Sequence, residues 1–98
     1  MKREIIEDEP ARNALNNAEE RWSRANDAWE SITWAIMNDP DVGLPVTESG
    51  KTRVITLHGA RSADIPDITV LYEDNPPFLH IRDAKFKDST KPYVPQLH

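Results

Sequence analysis

The chain has 98 residues, which suits a single domain, and it lacks cysteine, so disulfides and thiolate metal sites are excluded. Its formal net charge is −5, with most acids in residues 1–50 and a slight excess of bases in residues 51–98. This charge is unfavourable for a nucleic-acid binder, so any basic surface must be local and must come from the second half. No apolar run is long enough to span a membrane and no signal-peptide core is present, so we expect a cytoplasmic protein without a membrane partner.

The first half predicts a short edge strand over residues 2–7 and then a helix from about Ala11 to about Met37. The helix is indicated by an apolar stripe at helical spacing: Leu15, Ala18, Trp22, Ala25, Trp29, Ile32 and Ile36. Asn26–Asp27 is the one plausible break, so a single helix and a helix hairpin both stay open. The stripe favours a core face over a coiled-coil dimer seam because it is short, although a homodimer is left open.

Trp34 lies outside this stripe. It either widens the buried face of the helix or forms an exposed anchor for a partner protein.

The second half predicts three strands, over residues 52–58, 67–73 and 78–83, separated by glycine- and proline-containing connections. Strands joined by short connections pair antiparallel. The sequence therefore predicts an α+β domain in which a long N-terminal helix, or a helix hairpin, packs on an antiparallel sheet of three to four strands. We assign this domain to residues 1–88 and expect residues 89–98 to be an extended or disordered tail.

Alternation along these strands places several polar side chains on the sheet face away from the helix. His58, His80 and Arg82 belong to this face, with Arg61 in a neighbouring loop and Lys85 at its edge. Two histidines and an arginine suit metal-independent cleavage of a phosphodiester, in which the histidines act as base and acid and the cation stabilises the phosphorane. A simply polar, solvated sheet face is an equally weighted interpretation. We expect no cofactor and no metal, since the histidines lack the short paired spacing of a zinc site.

Several segments resemble the RelE/ParE superfamily of bacterial toxins. They are Trp29 and Trp34 in the helix, Asp39–Gly43 (DPDVG), Arg53, Ile68–Glu73 (ITVLYE) and Phe78–Lys87 (FLHIRDAKFK). The resemblance implies a RelE-like fold and a toxin of a type II toxin–antitoxin system, whose protein partner is an antitoxin.

The resemblance also implies roles for individual residues. Arg61 matches a basic residue at the end of the first core strand, and Arg82 begins the basic cluster after the last one. The sheet face and the resemblance together give His58, Arg61, His80 and Arg82 as candidate catalytic residues. Arg53, Lys85 and Lys87 are the candidate RNA-binding residues.

Two functions stay open. The first is a metal-independent endoribonuclease that cuts mRNA on the ribosome. The second is a non-catalytic protein-binding module on the same fold, either a degenerate toxin or an inhibitor of the gyrase type. The sequence does not choose between RNA, gyrase and another target, and it does not identify the antitoxin.

Overall fold

The computed structural model describes residues 3–89, in which two helices pack on one face of a five-stranded mixed sheet. In chain order the elements are β1 (Glu4–Glu7), α1 (Glu9–Arg21), α2 (Ala25–Asn38), β2 (Leu44–Pro45), β3 (Thr52–Leu57), β4 (Asp67–Asn75) and β5 (Phe78–Lys87). The strand order is β1-β5-β4-β3-β2, with β1 parallel to β5 and all other neighbours antiparallel. The α+β class is confirmed, and the sheet is larger than the three to four strands expected.

The three strands expected in the second half form the antiparallel meander that the sequence predicts. Val70 of β4 lies between Ile55 of β3 and Ala84 of β5, which fixes the register of all three. The register shifts between Leu71 and Tyr72 at a bulge, so Arg82 has no direct opposite on β4. The edge strand expected near the N-terminus is β1, and its parallel pairing with β5 was not anticipated.

The expected continuous helix from Ala11 to Met37 is instead two helices, with the break at residues 22–24 rather than at Asn26–Asp27. Trp22 adopts an extended conformation, with φ −122° and ψ 128°. The following residue, Ser23, donates both its N–H and its hydroxyl to Asp64 Oδ2, each at 2.7 Å. This carboxylate satisfies a backbone donor that would otherwise continue the helix, which explains why the chain turns here.

The apolar stripe lies in the core of the monomer, as expected. Trp29, Ile32 and Ile36 pack in one cluster with the inward residues of the sheet, whereas Trp22 and its neighbours Ala18 and Ala25 form a second, smaller cluster. Burial of the stripe within one chain explains its periodicity without a dimer seam. Trp34 is 69% exposed, so it does not widen the buried face.

The loop between α2 and β2 is held by two residues of the sheet. The buried Tyr72 hydroxyl donates to Pro40 O at 2.6 Å and accepts from the Gly43 N–H at 3.0 Å. A Cβ at position 43 would lie 2.8 Å from that hydroxyl, so the close approach requires glycine. Arg53 donates to three carbonyls, those of Asp41, Gly43 and Gly50. The fixed loop leaves only two residues of β2 paired with β3.

None of the helices within residues 3–89 has the length and apolar character needed to cross a membrane. Of the expected tail, residues 90–98 lie outside the described residues. Ser89, the one tail residue that is described, is buried.

Replacing Trp29 by alanine should lower the free energy of unfolding by about 3–5 kcal/mol, because the indole is 6% exposed and a cavity would remain. The measurement is urea unfolding followed by circular dichroism. Trp34→Ala is the matched control on the same helix, and it should change the free energy by no more than about 0.5 kcal/mol. Equal losses in the two variants would contradict the assigned burial.

Candidate functional site

The structure does not bring the four expected catalytic residues into one cluster. His80 lies opposite Glu73 in the β4–β5 pairing, whereas His58 follows β3 and lies beside Asp67, at the other end of β4. Asp67 and Glu73 are six residues apart on one strand, a separation of roughly 20 Å. The sequence predicted a shared sheet face for these residues. Alternation assigns a side chain to a face but not to a position along the strand, so it did not predict this separation.

Arg82 is held between two carboxylates. Its Nη1 donates to Asp8 Oδ2 at 2.9 Å, and its Nη2 donates to Glu73 Oε1 at 2.7 Å. Asp8 reaches this position because β1 runs parallel to β5 and the Asp8 N–H donates to Ile81 O. The hydrogen bond from Arg82, followed by one from Asn75, lowers the pKa of Glu73. Its hydrogen bonds to Asp8 and then to Glu73 raise the pKa of Arg82 itself. A phosphate would therefore compete with two ion pairs for this guanidinium.

His80 lies at the edge of the same group, so the cluster formed by Asp8, Glu73, His80 and Arg82 is called the Arg82 cluster. Nδ1 of His80 is buried and has no hydrogen-bond partner among residues 3–89. The nearest carboxylate atom is Asp8 Oδ1 at 3.8 Å, which is too long for a hydrogen bond. The arrangement contains an imidazole, a carboxylate and a cation, the groups that acid–base cleavage needs.

His58 lies at the opposite end of the sheet, beside a buried carboxylate. Asp67 is 2% exposed and accepts from the Gly59 N–H at 2.7 Å, while His58 Nδ1 is 3.6 Å from Asp67 Oδ2. Burial alone would raise the pKa of Asp67, but hydrogen bonds, led by that from Gly59, lower it overall. Asp67 therefore fixes the turn after β3. Within residues 3–89, no three His, Cys, Asp or Glu side chains are grouped as ligands of a metal ion.

The remaining expected site residues are dispersed. Arg61 begins an exposed 3-10 turn over Arg61–Ala63. Arg53 is mostly buried by the loop carbonyls described above, so its guanidinium supports the loop rather than a ligand surface. Lys85 and Lys87 are exposed on β5, opposite Thr69 and Asp67 respectively. Of the three expected RNA-binding residues, Arg53 is therefore engaged elsewhere, whereas Lys85 and Lys87 lie on the same strand as Arg82.

A different feature, which the sequence did not indicate, is an open edge on β3. The Asp74 N–H donates to Lys51 O and the Val46 N–H donates to Thr52 O, both at 2.9 Å. Alternation then directs the backbone groups of Thr52, Val54 and Thr56 toward β2. Among residues 3–89, no strand pairs with β3 on this side beyond Val54, so the N–H and C=O of the exposed Thr56 face the open edge.

A cleft lies beside this edge, on the helix side of the sheet. It has a volume of about 270 Å³ and is lined from α2 by Arg24, Asp27, Ala28 and Ser31, and from the sheet and its following loop by Leu57, His58, Gly59, Ala60, Ile65, Pro66 and Ile68. Trp34 is seven residues after Asp27 and three after Ser31, so it continues the helix face that borders the cleft. We call Thr56, Trp34 and this cleft the β3 edge surface.

No protein-family model matches the chain, and comparisons with curated proteins and with solved structures found no significant match.

Replacing Arg82 by glutamine should raise the pKa of Glu73 toward its ordinary value, because the strongest hydrogen bond to that carboxylate is lost. In the unmutated chain this carboxylate adds stability above its unfolded pKa, and the contribution is lost as the pH falls through the lower folded pKa. Carboxyl carbon shifts followed by NMR across an acid titration measure the change. Arg61→Gln is the control and should leave the Glu73 titration in place. An unshifted Glu73 in Arg82→Gln would contradict the pairing.

Proposed function

We propose that this chain is a non-catalytic protein-binding module, the second of the two functions that the sequence leaves open. The observation that carries the proposal is the β3 edge surface. It combines backbone groups of Thr56 that have no strand partner among residues 3–89, a partly apolar cleft between α2 and the sheet, and the exposed Trp34 on α2. Exposed sheet edges and exposed aromatic side chains are features through which proteins bind other proteins.

The charge distribution also supports a protein partner over RNA. Arg82 is neutralised by Asp8 and Glu73, and Arg53 is occupied by loop carbonyls. RNA binding usually rests on cations that are free to neutralise phosphates, and the chain as a whole carries −5. Under this proposal the module is RelE/ParE-like and acts in the cytoplasm, and its partner is an antitoxin or a cellular target of the gyrase type.

A ribosome-dependent mRNA endoribonuclease is the second candidate. It is favoured by the Arg82 cluster, which places His80 and Glu73 beside a cation. In that mechanism one of these two groups would take the 2′-hydroxyl proton as the 2′-oxygen attacks phosphorus. The other would protonate the 5′-oxygen as its bond to phosphorus breaks, and Arg82 would stabilise the charge on phosphorus. The two ion pairs to Arg82 would have to open first.

Mapping of mRNA ends on ribosomes after expression of the chain separates the two functions. The protein-binding proposal predicts no new cleavage sites with the unmutated chain. It also predicts none with Asp8→Asn, a change that releases Arg82 from one carboxylate and would increase cleavage by a nuclease. His80→Gln and Arg82→Ala are the matched inactive forms for the nuclease alternative.

Cleavage by the unmutated chain that disappears in Arg82→Ala, with an unchanged melting temperature, would overturn the protein-binding proposal. The melting temperature is informative here because an exposed ion pair contributes little to folding.

A further inference from the structure

We propose that the partner binds as a short extended segment with apolar and basic side chains, which adds to the sheet along the open edge of β3. This inference rests on the proposed protein-binding function and deepens it, since it specifies the mode of binding and the chemistry of the partner. The segment would lie beside β3 in continuation of β2, between Val54 and the bridge that joins Ala60 to Ile65.

The backbone of β3 offers a hydrogen-bond donor and an acceptor to an added strand. The backbone hydrogen bonds of β3 alternate between its two neighbours, so Ile55 and Leu57 bond to β4. Thr56, which lies between them, therefore directs its N–H and C=O to the open side. An added strand satisfies both groups and needs no rearrangement of the sheet. The neighbouring β2 edge does not offer the same opportunity, because the outward position there is Pro45, which has no N–H.

The cleft supplies specificity for an apolar side chain. In an added strand, alternate side chains point to the helix side, where Leu57, Ile65 and Ile68 line the cleft. The volume of about 270 Å³ can accept one large apolar side chain. The polar groups of Asp27 and Ser31 at the α2 wall would face the flanks of that side chain.

The charge around this surface indicates a basic partner. Acidic residues outnumber basic ones on the exposed part of α2 and in the two loops that flank β2. Asp27 pairs with Arg24 and Asp41 pairs with Arg53, whereas among residues 3–89 no salt bridge engages the exposed Glu30, Asp39 and Glu48. A lysine or arginine of the partner would be attracted to these carboxylates and could stack on the indole of Trp34. A second copy of this chain is disfavoured as the occupant, because each copy carries −5.

The test is selection of short random peptides displayed on phage against the full chain, followed by binding measurements on the enriched synthetic peptide. We expect enriched sequences to alternate apolar residues and to carry lysine or arginine. Binding should shift the emission of Trp34 to shorter wavelength, a change that is easily assigned because Trp22 and Trp29 are buried. Trp34→Ala should weaken binding about tenfold, whereas Phe78→Ala, an exposed aromatic on β5, should not.

A second peptide, methylated on the backbone nitrogens that would pair with Thr56, tests strand addition without altering the protein. It should bind about tenfold more weakly than the unmethylated peptide. Equal affinity of the two peptides, enrichment of acidic sequences, or chemical-shift changes centred on Leu71 instead of Thr56 would overturn the inference. Those results would leave a protein-binding function in place, whereas Arg82-dependent mRNA cleavage would overturn the function itself.

Discussion

The hydroxyl of Tyr72 holds the loop that leads from α2 into β2, the strand that covers one end of β3. It bonds to both Pro40 and Gly43, so the chain that leaves α2 is drawn toward the middle of the sheet and joins β3 only at Val54. A loop released from Tyr72 could extend β2 and pair with Thr56. Because burial raises the pKa of Tyr72, the phenol stays protonated and remains a donor to Pro40 at all moderate pH values. A buried side chain of the core therefore holds the loop next to the open edge.

The two regions of the sheet that carry functional groups have opposite characters. At the β1 side, Arg82 donates one hydrogen bond to Asp8 and another to Glu73. At the β3 side, backbone groups and apolar side chains are exposed without a partner among residues 3–89. Charge pairing in the first region lowers its affinity for phosphate. In the second region, a partner strand would form hydrogen bonds with the exposed edge. This contrast favours protein binding over RNA cleavage.

The sequence was sufficient for features that depend on local periodicity. The stripe that contains Trp29 and Ile32 correctly predicted a buried helical face, and alternation around Val70 correctly predicted the antiparallel core strands. Features that depend on distant residues could not be predicted in this way. The turn at Ser23 depends on Asp64, 41 residues later, and the pairing of Arg82 with Asp8 depends on the parallel placement of β1. The loop before β2 likewise depends on a tyrosine 29 residues beyond Gly43.

Amide hydrogen exchange of the free chain tests whether β3 has an open edge at Thr56. With an open edge, the Thr56 N–H should exchange nearly as fast as in an unfolded peptide, while the N–H groups of Ile55 and Leu57, which hydrogen-bond to β4, should be protected. NMR resolves these adjacent positions in one experiment. Protection of Thr56 equal to that of Ile55 would contradict the account, because the edge would then already be covered in the free protein.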